Sequence, residues 1–182
     1  MKYSTFFILF LAIFIFLVPP VFAQATGNRK TKDVVVIKIT KCRLYHYEEN
    51  EKGERRLIRE YIVATVKKGE LPALGEGFIT EKEFNPFWYP TKRTIDYFAE
   101  KKEIVLPKVV PPGDKNNYMG KFKLKLSHRT VKGDIYRIHG ILESDKNLLG
   151  KRATGGCVRM DNEEGLDFAR KIPIGTKVIF EM

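Results

Sequence analysis

From Asp33 to Glu181 the apolar residues of this chain fall in short runs rich in branched and aromatic side chains. Each run is ended by glycine or proline, a pattern that suits strands and leaves little room for long helices. Val34 to Ile39 and Leu44 to Tyr47 read as strands, Glu49 to Glu54 as a turn around Asn50 and Gly53, and Leu57 to Val66 as the returning strand of a hairpin. Cys42 then sits among strand residues on a face the pattern does not assign. Phe122-Lys123-Leu124-Lys125-Leu126 alternates strictly, so Phe122, Leu124 and Leu126 should enter the core and the two lysines should point to solvent. Ile135 to His139 is a further strand ended by Gly140, and Lys177 to Glu181 closes the chain as another. Between these, Leu71 to Gly77, Asn85 to Pro90 and Val110 to Gly113 carry the prolines and glycines of loops. A short helix fits within Thr94 to Lys102. A second begins at Asp161, with Glu164 three residues on as in a capping box, and keeps Leu166, Ala169 and Ile172 on one face until Pro173 stops it. The expected architecture is a mainly β domain, a sandwich of strands with one or two short helices.

The N-terminus has a different character. Lys2 precedes an apolar run from Phe6 to Val18, 13 residues against the ~20 needed to span a bilayer, and Val21-Phe22-Ala23 offers a cleavage site. Residues 1–23 are therefore expected to be a signal peptide, and residues 24–182 a single exported domain of 159 residues. Lys2 is the only charge lost with the leader, so the formal charge falls from +11 to +10. So basic an exported protein is drawn to polyanions. Anionic wall polymers satisfy that description. Nucleic acid does not, because export separates the protein from the genome and the basic residues form no recognition-helix pattern. Two cysteines, Cys42 and Cys157, could form one disulfide or remain two unrelated thiols. Neither they nor His46, His128 and His139 have the spacing of a metal site, and no cofactor is implied.

Thr154-Gly155-Gly156-Cys157-Val158-Arg159 is the segment best suited to chemistry. Two glycines free the backbone to expose the sulfur and to turn N–H groups toward a reacting carbonyl. A thiol is mostly protonated at neutral pH, so its use as a nucleophile calls for a base or a positive charge nearby. His139 and Arg159 are the candidates, and Gly140 leaves a carbonyl free to orient the imidazole.

Taken together, His139-Gly140, Thr154-Gly155-Gly156-Cys157, Val158 and Arg159 resemble the signature of the L,D-transpeptidase catalytic domain, the YkuD family. The likeness extends through the opening strands, the Asn85 to Pro90 loop, the Val110-Pro111-Pro112-Gly113 run and the tail Ile174 to Ile179. Two positions depart from it: Gly155 stands where many members have histidine, and Leu71 to Phe78 lacks the usual Thr-Pro-X-Gly pattern. The resemblance implies an enzyme of the bacterial cell wall, acting as a monomer on peptidoglycan stem peptides. Cys157 would be the nucleophile and His139 its base, with Gly156 and Gly140 as oxyanion and orienting groups. Arg159, Thr154 and Tyr118 are the implied substrate contacts: Arg159 anchoring a carboxylate or bracing the loop, Thr154 fixing the loop through its hydroxyl, and Tyr118 lending a phenol or packing. Cys42 is then a structural thiol. An L,D-carboxypeptidase, a wall-amide hydrolase and a catalytically silent wall-binding module remain alternatives.

Overall fold

The computed structural model describes residues 31–129 and 135–182; the expected signal peptide lies outside them. Nine strands form one sheet: β1 (Lys32–Lys38), β2 (Arg43–Glu49), β3 (Arg55–Val66), β4 (Gly75–Phe84), β5 (Phe122–Arg129), β6 (Ile135–His139), β7 (Arg152–Thr154), β8 (Val158–Met160) and β9 (Lys177–Glu181). Their order is β2-β1-β9-β4-β5-β6-β8-β3-β7, and β2 also pairs with β3, so eight strands close on themselves as a barrel with β7 appended. The twelve-residue β3 makes closure possible: its first part pairs with β2 and its last residues with β8 and β7. Alternation fills the interior, where Val35, Ile37, Leu44, Val63, Leu124, Ile138, Val158 and Val178 are buried in one core.

The strands expected in the first hairpin and in the Phe122 and Ile135 runs are present. Cys42 is not a strand residue. It ends the β1–β2 turn in a left-handed conformation (φ 53°), with its thiol buried 3.4 Å from Thr65 Oγ1. Residues 75–77, expected in a loop, begin β4, which bridges β9 and β5. Gly77 is a requirement of that position, since a Cβ there would stand 2.4 Å from the His128 ring. Lys123 also differs from expectation: it is 8 % exposed and not on the solvent side.

Helix α1 (Lys92–Lys102) starts before Thr94 because the Thr91 side chain caps it, accepting from the Thr94 N–H. Its Phe98 packs with Trp88, Leu106 and Val110 in a small core separate from the barrel. Helix α2 (Asn162–Lys171) is capped by Asp161, which accepts from the N–H groups of Glu163 and Glu164. Glu164 pairs with Arg59 at 2.7 Å, so only the Asp161 half of the anticipated box is seen. The buried face carries Gly165, Phe168, Ala169 and Ile172, with Leu166 half-buried beside them.

Gly165 lets α2 lie against β5, because a Cβ would come 2.1 Å from the Phe122 ring and 3.2 Å from Met160 Cβ. Glycine to alanine inside a helix ordinarily stabilises by about 1 kcal/mol. Here the sign reverses. Gly165→Ala is expected to lower stability by about 1–3 kcal/mol through overpacking, read as a lower urea midpoint with unchanged slope.

Candidate active site

β6 and β8 lie side by side and parallel, with Ile138 opposite Val158 and His139 opposite Arg159. Ile138, Val158 and Met160 point into the core, so alternation sends Arg137, His139 and Arg159 to the other face. Cys157, one residue before β8 and two before Arg159, follows onto that same face. The preceding turn is held from both sides. Thr154, buried at the end of β7, accepts the Gly156 N–H on Oγ1 (3.2 Å) and the Lys67 N–H on its carbonyl (3.0 Å). Gly156 has φ 148°, a conformation that side chains rarely adopt, and a Cβ there would stand 3.2 Å from the Tyr136 ring. Gly155 is exposed with open space around it. Cys157 is partly exposed and its thiol free, in a cleft of about 740 Å³ also lined by His139, Arg159 and Trp88.

His139 is 2 % exposed, with Nδ1 2.8 Å from the Gly140 carbonyl. A carbonyl accepts only from an N–H, so this contact puts the proton on Nδ1 and leaves the Nε2 lone pair as the basic site. Burial pushes the imidazole pKa down to about 3, the charges of Arg159 and Arg137 act in the same sense, and the hydrogen bond to Gly140 opposes them. The ring is therefore neutral at physiological pH.

The end of β6 is pinned by a residue the sequence pattern does not single out. Buried Asn162 accepts the N–H groups of Lys121 (3.1 Å) and Ile141 (3.3 Å) on Oδ1 and donates to the Ile141 carbonyl (2.7 Å). Gly140 fits beneath it because it has no side chain; a Cβ would be 2.2 Å from Asn162 Oδ1 and 2.9 Å from Gly120 Cα. Asn162→Ala leaves the Ile141 N–H unsatisfied in the interior and removes the partner of the part-buried Lys121 N–H. It is expected to cost on the order of 3 kcal/mol and to slow thiol acylation, checked by urea unfolding beside acylation rates.

Arg159 and Tyr118 form one wall of the cleft. The guanidinium lies 4.7 Å from the Tyr118 ring centroid and 3.7 Å from Asp145 Oδ2, and its buried Nε has no hydrogen-bond partner among the described residues. Tyr118 stacks on Trp88 (5.1 Å) and meets Phe98 edge-on (5.0 Å). Its hydroxyl is 3.5 Å from Lys102 Nζ, which also reaches Asp145 at 3.3 Å. Burial, reinforced by Asp145, raises the Tyr118 phenol above its ordinary value. Arg159 thus braces the aromatic wall, and the Tyr118 hydroxyl is engaged with charged neighbours. Lys102, Lys123, Arg137 and Asp145 line the cleft as well and were not among the expected site residues. Each lies in a segment that reads as ordinary solvated strand, helix or turn; strand pairing brings Lys123 and Arg137 to the cleft, while Lys102 comes from α1 and Asp145 from the turn after β6. Among the described residues no three histidine, cysteine or acidic side chains are grouped to hold a metal ion.

The L,D-transpeptidase catalytic domain family (YkuD) matches this chain over residues 32–180. The chain is similar to the probable L,D-transpeptidase YbiS of Escherichia coli K12, 34 % identical over 152 residues that cover 80 % of this chain and 44 % of that protein. It is also similar to the probable L,D-transpeptidase ErfK/SrfK of the same organism, 27 % identical over 146 residues, covering 79 % and 42 %. The chain spans less than half the length of these relatives. Its fold is like that of L,D-transpeptidase 3 from Mycobacterium tuberculosis (TM-score 0.58, 12 % identity, covering 84 % of this chain and 62 % of that one). It is likewise similar to an L,D-transpeptidase from Mycobacterium smegmatis (TM-score 0.54, 16 % identity, covering 84 % and 59 %).

Proposed function

This chain belongs to the L,D-transpeptidase catalytic domain family, and on that footing we propose that it is an exported cysteine L,D-transpeptidase acting on peptidoglycan stem peptides. The observation that carries the reading is a partly exposed thiol on the same sheet face as a buried, neutral imidazole whose Nδ1 is tied to a carbonyl. The Cys157 sulfur attacks the carbonyl that joins an L-configured centre to a D-residue. Its proton passes to His139 Nε2 and from there to the departing nitrogen, so the C–N bond breaks as the thioester forms and D-alanine leaves as the amine. The Gly156 N–H already donates to Thr154 Oγ1, so the oxyanion falls chiefly to the Cys157 N–H, a contribution commonly of order 3 kcal/mol per donor. An amine of a second stem then attacks the thioester, returns a proton through His139 and restores the thiol. Water in its place would yield a carboxypeptidase.

Residues 1–23 serve as the signal peptide and 24–182 as the exported catalytic domain in this reading, and the basic surface holds the enzyme near anionic wall polymers. The test is digestion of purified peptidoglycan with the protein, followed by mass analysis of the muropeptides. New cross-linked dimers are expected. Trimmed stems alone would make it a carboxypeptidase, and an unchanged profile together with no carbapenem adduct on Cys157 would leave only a wall-binding module.

A further inference from the structure

Strand register lines up polar side chains in two rows across the sheet face that carries the thiol. One row runs Glu83, Lys123, His139, Arg159 over β4, β5, β6 and β8. The other runs Glu81, Lys125, Arg137 and, one residue before the Ile138–Val158 pair, reaches Cys157. Lys123 is the unusual member. Its side chain is 10 % exposed, its Nζ is 2.7 Å from Glu83 Oε2, and it lines the same cleft as Cys157. Burying such a pair costs desolvation that an apolar pair of similar size would avoid, so packing alone gives no reason for it. Burial by itself would raise the Glu83 carboxyl, yet hydrogen bonds and charge from Lys123 and Lys125 hold it below its ordinary value.

The order of the strands gives Lys123 a role. The nucleophile is on β8, the imidazole on β6, and Lys123 on β5, directly across from His139. In acylation the departing nitrogen must lie against His139, which protonates it. Whatever is bonded to that nitrogen, other than the acyl group, extends away from Cys157 and so toward β5. If the leaving group is a single amino acid, its carboxyl carbon is only about 2.5 Å from the nitrogen. A neighbouring strand is about 4.8 Å away, and a lysine side chain spans that gap. Arg159 lies on the other side of His139, on the nucleophile's own strand β8, and so away from the direction in which the leaving group extends.

We propose that Lys123, held in place by Glu83, is a specificity-determining residue that binds the free carboxylate of the leaving amino acid and so restricts this enzyme to donors with a terminal, unsubstituted carboxylate. This rests on the acyl-transfer reading of Cys157 and His139. The test compares acylation by a stem tetrapeptide ending in a D-alanine carboxylate with acylation by the same peptide ending in the carboxamide. Wild-type protein should favour the acid by about ten- to hundredfold in kcat/KM, the range of a charge-assisted contact. Lys123→Met should bring the two donors to parity, mainly by slowing the acid, and Lys123→Arg should restore part of the preference. The paired change Lys123→Met with Glu83→Gln leaves no orphan carboxylate and should also show parity, which covers misfolding of the single variant. A wild-type acid-to-amide ratio in either Lys123→Met protein overturns the assignment of Lys123 while leaving acyl transfer in place. Failure of the wild-type protein to be acylated by either peptide overturns the acyl-transfer reading itself, and the assignment with it.

Discussion

Replacing Cys157 by alanine is expected to remove turnover completely while leaving the barrel folded. The side chain is partly exposed at the mouth of a cleft, outside the main core, so losing its sulfur opens no cavity of consequence. The backbone of the loop does not depend on it. Thr154 still accepts the Gly156 N–H, and Val158 still pairs with Ile138. Chemically nothing replaces it: Cys42, the second thiol, is buried beside Thr65 at the β1–β2 corner and is not among the residues lining the cleft. Intact mass after exposure to a carbapenem should show one adduct on the wild-type protein and none on the variant, with matching urea midpoints. An adduct of equal yield on the variant would move the nucleophile away from Cys157.

How much of this could be read from the chain depends on whether the signal is local. Phe122, Leu124 and Leu126 alternate with polar neighbours, and all three are buried as the pattern demands. The Gly-Gly-Cys turn and the His-Gly strand end are likewise local, since the glycines are required by backbone geometry at Gly156 and by Asn162 at Gly140. Lys123 is different. Its alternation with Leu124 is correct, yet the face opposite the core is solvent in most sheets, and here it is the floor of a cleft. That cleft exists because residues 85–119 build a second small core around Phe98 and Trp88, and no periodicity in β5 records it. Asn162 was hidden for a related reason: it looks like a first-turn helix residue, and its partners, Lys121 and Ile141, lie 41 and 21 residues away. The start of β4 is not legible because Gly75 and Gly77 read as loop, whereas Gly77 is there to admit the His128 ring.

His139→Asn is expected to slow acylation by at least ~100-fold, the usual scale for loss of a general base, and to change the pH dependence of stability in a way a merely structural residue would not. The imidazole is held neutral, with its pKa lowered from 6.5 to about 3 by burial and by the nearby Arg159 and Arg137 charges. Between those two values the unfolded chain binds a proton on this ring and the folded chain does not. Stability therefore falls as pH drops below about 6.5, with a slope approaching one proton and continuing until the folded ring itself titrates near 3. Asparagine carries no such proton, so the difference in urea midpoint between wild type and variant should narrow steadily from pH 7 to pH 4.5. Asp161 and Glu83, whose lowered carboxyl values weaken the fold at still lower pH, contribute equally to both proteins and cancel in that difference. The same neutrality predicts that wild-type acylation shows no acid limb near pH 6.5, because the base is unprotonated well below it. An acylation rate that halves near pH 6.5, or a midpoint difference independent of pH, would mean that His139 is solvated and protonated in the ordinary range and does not act as the buried base described above.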